Sequence, residues 1–326
     1  MTARETLTRA TAQLSASPEL RDTASRDALL LLLHTLNLSR AAFHADPGRT
    51  LTPAEQVAYD ALIARRLANE PIQYITGEQE FYGLALHVTP AVLIPRPETE
   101  HLVEAVLHEL GYHPVAELGR HPAIETACHP AAERRDLPIE TACHPAAERR
   151  DLLLGDSPPL HILDIGTGSG AIAIALAHYL PNAHITATDI SPAALEVAAA
   201  NAAHHHLATR ISFVESNLLV ALKPGSTFDV IVSNPPYVPV SDRETLHPQV
   251  RDHEPATALF AGPTGLDIYR RLIPQAQAAL RPNGLLALEI GHGQRDDLTA
   301  LLRNWHAVRF VDDLQQIPRV ALARRP

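Results

Sequence analysis

Cysteine is nearly absent from this chain of 326 residues, which holds only Cys128 and Cys143. Two thiols make no disulfide framework, and their scarcity fits a reducing compartment. Basic charge is also in deficit. Lys and Arg number 27 against 37 Asp and Glu, giving a formal net charge of -10, so the chain lacks the overall basic footprint of a protein that grips long stretches of nucleic acid. No apolar run reaches membrane-spanning length, and Ala28 to Leu33 falls far short of it. Met1 to Ala10 is polar and carries no apolar signal core. A cytoplasmic protein without membrane contact is the expectation. What remains is ordinary globular material: 46% hydrophobic and 20% charged residues, enough for a packed core and long enough to suggest two domains. The 19 histidines make the net charge sensitive to pH near neutrality.

Residues 1–75 read as a small helical domain. Leu29, Leu30, Leu32, Leu33 and Leu36 supply a broad apolar stripe at helical spacing. Thr52-Pro53-Ala54-Glu55 predicts a helix start, with Thr52 as N-cap, Pro53 at the first position and Glu55 at the third. Residues 76–112 follow as an extended hairpin and a connecting helix. From Pro71 to Pro97, Ile72, Tyr74, Phe81, Tyr82, Leu84, Leu86 and Val88 favour extended backbone, with Gly77 and Gly83 as turn points. Glu98 to Leu110 predicts a helix. Residues 113–159 read as a linker in which Ile124 to Leu137 recurs unchanged as Ile139 to Leu152, a period of 15. Two copies are too few and too short for a solenoid; they look like a tandem duplication. Cys128-His129 and Cys143-His144 fall in it, but adjacent Cys-His is not a usual zinc-finger spacing, and the duplication explains the pairing. No metal site is expected.

From residue 160 to residue 326 strands and helices alternate, which predicts an α/β domain with a doubly wound, mostly parallel sheet. Strands are expected at His161 to Ile165, Ile185 to Ile190, Ile211 to Glu215, Phe228 to Ser233 and Leu285 to Ile290, and two more near Val308 to Val311 and Val320 to Ala323.

Within that alternation, His161-Ile-Leu-Asp-Ile-Gly-Thr-Gly-Ser-Gly170 is an apolar strand running into a glycine-rich turn, with an apolar helix directly after it. Glycines let backbone approach a ligand at the carboxyl edge of a first strand. Taken alone, the motif admits a nicotinamide dinucleotide, a methionine-derived cofactor, or merely a tight turn. Asp164 just before the glycines is placed to meet a cation rather than a pyrophosphate, which favours S-adenosylmethionine with its ammonium and sulfonium. Asp189 ends the second strand, where an acid usually takes ribose hydroxyls.

A second signal, Asn234-Pro-Pro-Tyr237, follows the apolar strand Phe228 to Ser233. In a doubly wound sheet it should share the crevice with the glycine-rich turn. A planar amide or amino nitrogen is a poor nucleophile that needs orientation more than a strong base. The Asn234 side-chain oxygen can accept one N–H of such a group and the Pro235 carbonyl the other. Pro235 and Pro236 stiffen the loop, and Tyr237 offers a flat face for stacking. The alternative for this tetrapeptide alone is a proline-rich turn.

At these residues the chain resembles the amino-methyltransferase class, which includes DNA adenine methylases. Further segments narrow the likeness: Glu70-Pro-Ile-Gln-Tyr-Ile-Thr-Gly77, Glu80-Phe-Tyr-Gly83, Leu93-Ile-Pro-Arg-Pro-Glu-Thr-Glu100 and Arg251-Asp-His-Glu-Pro255. With these the chain resembles the release-factor glutamine N5-methyltransferases, also called HemK or PrmC, within the class I enzymes that use S-adenosylmethionine and a Rossmann-like fold. The likeness covers most of the chain outside the duplicated linker. It implies methylation of the glutamine in the Gly-Gly-Gln motif of peptide chain release factors, hence a role in translation termination. It implies that Asp164, Gly166, Thr167, Gly168, Ser169, Gly170, Asp189 and Asn234 bind the cofactor, with Asn217 and Leu218 flanking its adenine. Asn234, Pro235, Pro236 and Tyr237 would hold the glutamine, with Asn234, Pro235 and Tyr237 acting in catalysis. The helical N-terminal domain would help dock the release factor, and Arg96, Glu98 and Glu100 would lie near that interface or structure their loop. A monomer with no direct nucleic-acid contact is expected. Two other readings stay open: an adenine N6-methyltransferase acting on DNA or RNA, since base-flipping enzymes read a similar planar group, and a non-catalytic cofactor-binding protein.

Overall fold

The structure is a computed structural model that describes residues 1–112 and 158–326; the duplicated segment, Cys128 and Cys143 lie outside the described residues. Five helices open the chain: α1 (Ala3–Ser15), α2 (Ala24–Leu36), α3 (Arg40–Ala45), α4 (Pro53–Leu67) and α5 (Ile72–Thr76). The expected cap of α4 is present. The Glu55 N–H donates to the Thr52 hydroxyl (3.2 Å) and the Thr52 N–H donates back to the Glu55 carboxylate (2.8 Å), satisfying two amides that the helix itself leaves without partners. The leucine stripe of α2 is rotated from its expected phase. Leu31 and Leu32 are buried while Leu30 is exposed. Five successive leucines leave the phase undetermined; Asp27 settles it by turning inward to the Arg66 guanidinium of α4 (2.9 Å).

The stretch after Pro71 departs from expectation. Ile72 and Tyr74 are helical, in α5, and extended backbone begins only at β1 (Glu78–Phe81), paired antiparallel with β2 (Leu84–His87). Ile72 and Ile75 join the apolar core of the first four helices, and the Tyr74 hydroxyl donates to the Val92 carbonyl (2.5 Å). Gly77 closes α5 with a left-handed φ of 81°, the conformation a C-cap glycine supplies without steric cost. α6 (Pro97–Glu109) follows the extended Arg96.

Beyond residue 157 come β3 (Leu160–Ile165), α7 (Ala171–Tyr179), β4 (Ala183–Asp189), α8 (Pro192–His204), β5 (Ile211–Glu215) and β6 (Phe228–Ser233). Two single-turn helices, α9 (Pro248–Arg251) and α10 (Ala256–Leu259), precede α11 (Asp267–Ala279), β7 (Leu280–Glu289), α12 (Arg295–Leu301), β8 (His306–Asp312) and β9 (Pro318–Arg324). The sheet order is β5-β4-β3-β6-β7-β9-β8. The strands from β5 to β7 pair in parallel, and β9 pairs antiparallel with both β7 and β8. Alternate residues of the strands serve opposite faces. Ile162, Val230 and Leu285 pack towards α6 and α7. Leu163, Ile231 and Leu286 pack towards α11 and Trp305. Both faces are thus covered. The chain runs outward from β3 to β5, then returns to start β6 on the other side of β3. That reversal opens a crevice at the carboxyl ends of β3 and β6.

Candidate functional site

The two sequence signals meet at this crevice. Ile165 and Ser233 are register partners, and the buried Ser233 hydroxyl donates to the Ile165 carbonyl (2.6 Å). Gly166 and Asn234 are the next residues on the two strands, so the glycine turn and the Asn-Pro-Pro-Tyr loop leave the sheet side by side.

In the turn, Gly166, Gly168 and Gly170 take positive φ values of 72°, 54° and 83°. At Gly170 a Cβ would stand 3.2 Å from the Ala198 Cβ of α8, so glycine there lets α8 approach. At Gly166 and Gly168 a Cβ would meet nothing within 4 Å; glycine there keeps the turn open. The amides of the turn face inward. The Gly166 and Thr167 N–H groups donate to the Thr188 carbonyl (2.8 and 2.9 Å), and the Gly168 N–H donates to the Asp189 carboxylate (2.9 Å). A pyrophosphate needs such donors free, and here they are committed to β4.

What the turn offers instead is negative charge. Asp164 is fully buried; one carboxylate oxygen accepts from the Thr167 hydroxyl (2.6 Å), and Oδ1 has no partner. Burial, helped by the Asp189 charge, raises its pKa to about 7 against the pull of the Thr167 hydroxyl and the Ala173 backbone N–H. An orphaned carboxylate oxygen in a buried, doubly acidic setting is stabilised by a cation and destabilised by a phosphate. The residues therefore fit S-adenosylmethionine, which is cationic, and do not fit a dinucleotide. Asp189 also accepts from the Ser191 N–H (2.9 Å), so it organises both the turn and the start of α8. Asn217 lines a groove of about 240 Å³ with Ile190, Glu215, Ser216, Val220 and Ala221. Leu218, in left-handed backbone at φ 59°, is partly buried against the core of the α11 face and does not line that groove.

In the second loop, the Asn234 side-chain nitrogen donates to the Thr99 hydroxyl of α6 (3.0 Å). Its oxygen is the end left for another donor. Pro235 is buried and Pro236 and Tyr237 are half-buried. The Tyr237 hydroxyl lies 3.5 Å from the Glu289 carboxylate at the end of β7, and burial raises its pKa well above the usual phenol value. Arg96 pairs with the buried Glu254 (2.5 Å), whose other oxygen accepts from the Ile94 N–H (3.3 Å). Glu100 accepts from the Tyr82 N–H (2.9 Å). These two acids and Arg96 hold loops in place.

Four contributors have no counterpart among the residues expected from sequence. Thr99 and Glu289 border Asn234 and Tyr237. Gln294 donates to the Tyr237 carbonyl (3.1 Å) and accepts from the Gly291 N–H (2.9 Å). Asn201 of α8 donates to the Ser169 carbonyl (2.9 Å) and bonds both backbone groups of His87, tying the hairpin to the glycine turn. Two of them left a trace in the sequence: Thr99 within the segment Leu93 to Glu100, and Glu289 as an acid closing the apolar run Leu285-Leu-Ala-Leu-Glu289. Among the described residues there is no group of three or more His, Cys, Asp and Glu able to hold a metal ion, and no helix long and apolar enough to cross a membrane.

Comparison with known proteins bears on this site. Residues 5–77 match the PrmC N-terminal domain, and residues 153–249 match the methyltransferase small domain. A release factor glutamine methyltransferase of Koribacter versatilis is 43% identical over 297 residues, which cover 91% of this chain and 90% of that protein. One of Deinococcus radiodurans is 40% identical over 332 residues, covering 100% of this chain and 99% of its own length. Among solved structures, the hMettl16 catalytic domain in complex with MAT2A 3'UTR hairpin 1 superposes with a TM-score of 0.50 at 16% identity, covering 85% of this chain and 83% of that one; this likeness concerns the fold alone.

Proposed function

Because the chain belongs to the release factor glutamine methyltransferase family, we propose that it transfers a methyl group from S-adenosylmethionine to the side-chain nitrogen of the glutamine in a release factor's Gly-Gly-Gln motif. The observation that carries this reading is the pairing of Ile165 with Ser233. It makes a cation-favouring turn and an amide-accepting loop neighbours on one rim of the sheet.

Asp164, the turn from Gly166 to Gly170 and Asp189 would hold the cofactor, with Asn217 and Leu218 towards its adenine and Asn234 between it and the substrate. The cofactor supplies an electrophilic methyl on a sulfonium. The chain's own residues supply orientation. The Asn234 oxygen and the Pro235 carbonyl accept the two N–H groups of the glutamine amide, which turns the face of its nitrogen towards the methyl. Pro236 and Tyr237 limit the freedom of the amide plane, and holding two reactants in an attack geometry removes much of the entropic part of the barrier. As the C–N bond forms and the C–S bond breaks, the nitrogen gives up one proton to water. On this reading residues 1–75 dock the release factor. The enzyme works as a cytoplasmic monomer, with no direct contact to nucleic acid or membrane.

The test is to incubate the chain with labelled S-adenosylmethionine and, in parallel, a release factor and duplex DNA, then locate the label by mass spectrometry. Label on the Gly-Gly-Gln glutamine supports the reading; label on adenine alone would replace it with nucleic-acid methylation.

A further inference from the structure

On the proposed reading Tyr237 limits the plane of a substrate amide, which it can do only if it is itself held. Pro235 and Pro236 stiffen the chain before it. Just after it the Val238 N–H donates to the Leu259 carbonyl (2.9 Å). The tyrosine hydroxyl adds little, with the Glu289 carboxylate at 3.5 Å.

Gln294 supplies the missing restraint. It stands at the start of α12 and is 8% exposed. Its carboxamide joins three loops. Oε1 accepts from the Gly291 N–H, in the loop after β7 (2.9 Å). Nε2 donates to the Tyr237 carbonyl, in the loop after β6 (3.1 Å), and at longer range to the Gly265 carbonyl before α11 (3.5 Å). The two ends of a carboxamide are close in size, but here only one orientation works. A backbone N–H can only donate and a carbonyl can only accept. Reversing the amide would set oxygen against two carbonyls and NH2 against an N–H, and buried polar groups left in that state are costly.

The loops meet so closely that side chains are shut out. A Cβ on Gly291 would stand 2.9 Å from Tyr237 Cδ2 and 2.9 Å from Gln294 Oε1. Gly291 is not among the glycines with positive φ, so its bare Cα answers to the ring and the carboxamide, not to the backbone. One residue thus backs the Tyr237 ring and, through its N–H, orients Gln294.

We infer that Gln294 is a positioning residue for methyl transfer. By gripping the Tyr237 carbonyl while Gly291 backs the ring, it fixes the stacking face before substrate arrives. Both of its N–H donors are spent on carbonyls, so its effect on the reaction passes through Tyr237. A face ordered in advance spares the reaction part of the entropy of reaching the attack geometry. The inference rests on the reading of Tyr237 as the surface against which the glutamine amide is held.

The test compares the wild-type chain with Gln294→Met, Gln294→Glu and Gly291→Ala. Each is assayed for kcat and KM on a release factor, for cofactor Kd, for affinity towards a release factor whose target glutamine is replaced by alanine, and for its thermal melt. Gln294→Met keeps the length and loses all three bonds. Gln294→Glu keeps an acceptor for Gly291 and, ionised, loses the donors. Both should lower kcat by about tenfold to a hundredfold, as a misplaced reactive group does, with KM near wild type. Cofactor Kd and affinity for the alanine-substituted release factor should stay near wild type. Gly291→Ala pushes the ring from its wall and should lower kcat in the same selective way. Gln294 variants with wild-type kcat, or with kcat, cofactor Kd and release-factor affinity lost in proportion, would overturn the inference alone. Should the Gln294 variants fail to fold, Gly291→Ala decides, and a wild-type kcat there overturns it. A wild-type chain that labels no release factor removes the functional reading, and this inference with it.

Discussion

On the proposed reading Asn234 meets an amide while Asp164, buried behind the glycine turn, sets the charge that a cation encounters there, and their substitutions should separate cleanly. On that reading Asn234→Ala removes the acceptor that orients the substrate and leaves the cofactor its other contacts. It should lower kcat by about a hundredfold or more while the cofactor Kd, read by calorimetry, stays near wild type; equal loss of both would contradict the assignment. Asp164 is a different case. Its pKa is raised to about 7 by burial, so below that pH the empty site holds a proton that a bound cation must expel. Cofactor affinity should therefore rise with pH through about 7 and level off above it, with proton release detectable as a buffer-dependent heat. Asp164→Asn should bind weakly at every pH with that slope gone. Asp164 and Asn234 were legible in the sequence because each stands at the end of an apolar strand and beside glycine or proline. The parts of Thr99 and Glu289 were not: Thr99 lies within the segment Leu93 to Glu100, but what brings it to Asn234 is the packing of α6 at the end of β6, a tertiary fact. Asn201 was hidden in the same way, in an alanine-rich helix whose sequence suggests only packing.

At the scale of elements, the sheet was readable from alternation and the parallel strands arrived within a few residues of their expected ends. The failures were local and had physical causes. Ile72 and Tyr74 carry strand-favouring side chains, but Pro71 and Gly77 bracket a single helical turn, and burial of Ile72 and Ile75 against the helical core outweighs propensity. The leucine run of α2 has no polar interruption to set its phase; the buried Asp27–Arg66 pair does that. The loop after Tyr237 shows how strictly one element is held. Gly265 has φ 72°, and a Cβ there would stand 2.2 Å from the Tyr237 carbonyl oxygen and 2.9 Å from Gln294 Nε2. Gly83 has a similar φ of 76° with nothing within 4 Å of a Cβ. Gly83→Ala should therefore cost only the left-handed strain of about 1–2 kcal/mol. Gly265→Ala should cost more by urea denaturation and also cut kcat, because the clash falls on the backbone that carries Tyr237. Equal destabilisation by the two, with kcat unaffected, would mean that the loop gives way freely.

For the whole molecule, the acids buried at the site make stability depend on pH in an unusual direction. Asp164 and Glu289 both have folded-state pKa values raised to about 7, from 3.8 and 4.5. Between those limits the folded chain holds protons that the unfolded chain has released. The stabilisation is complete below about pH 4 and is lost as pH rises towards 7. His101, raised by its hydrogen bond to Glu104, adds to the decline in its upper part, and His178, lowered by burial, opposes it. The exposed acids Glu5 and Asp252 and the half-buried Glu55, lowered by hydrogen bonds, lose their contribution only in more acid solution, below the range in question. A tenfold change in proton affinity corresponds to about 1.4 kcal/mol, so two such carboxylates amount to several kcal/mol. The Tm should fall by on the order of 5 °C between about pH 5 and pH 7.5. Glu289→Gln cannot ionise, so it should flatten part of this slope and melt above wild type at the higher pH. Asp164→Asn should flatten it further, leaving the smaller contributions of His101 and of Glu254, whose pKa burial also raises, and saturating cofactor should raise the wild-type Tm more at the higher pH, where the charge of Asp164 lacks a counterion. Scanning calorimetry across that range decides the matter. A Glu289→Gln chain whose Tm runs parallel to wild type at every pH would mean that Glu289 does not hold its proton in the fold, and the cost of burying its charge beside Asn234 would have to be met by groups other than those named.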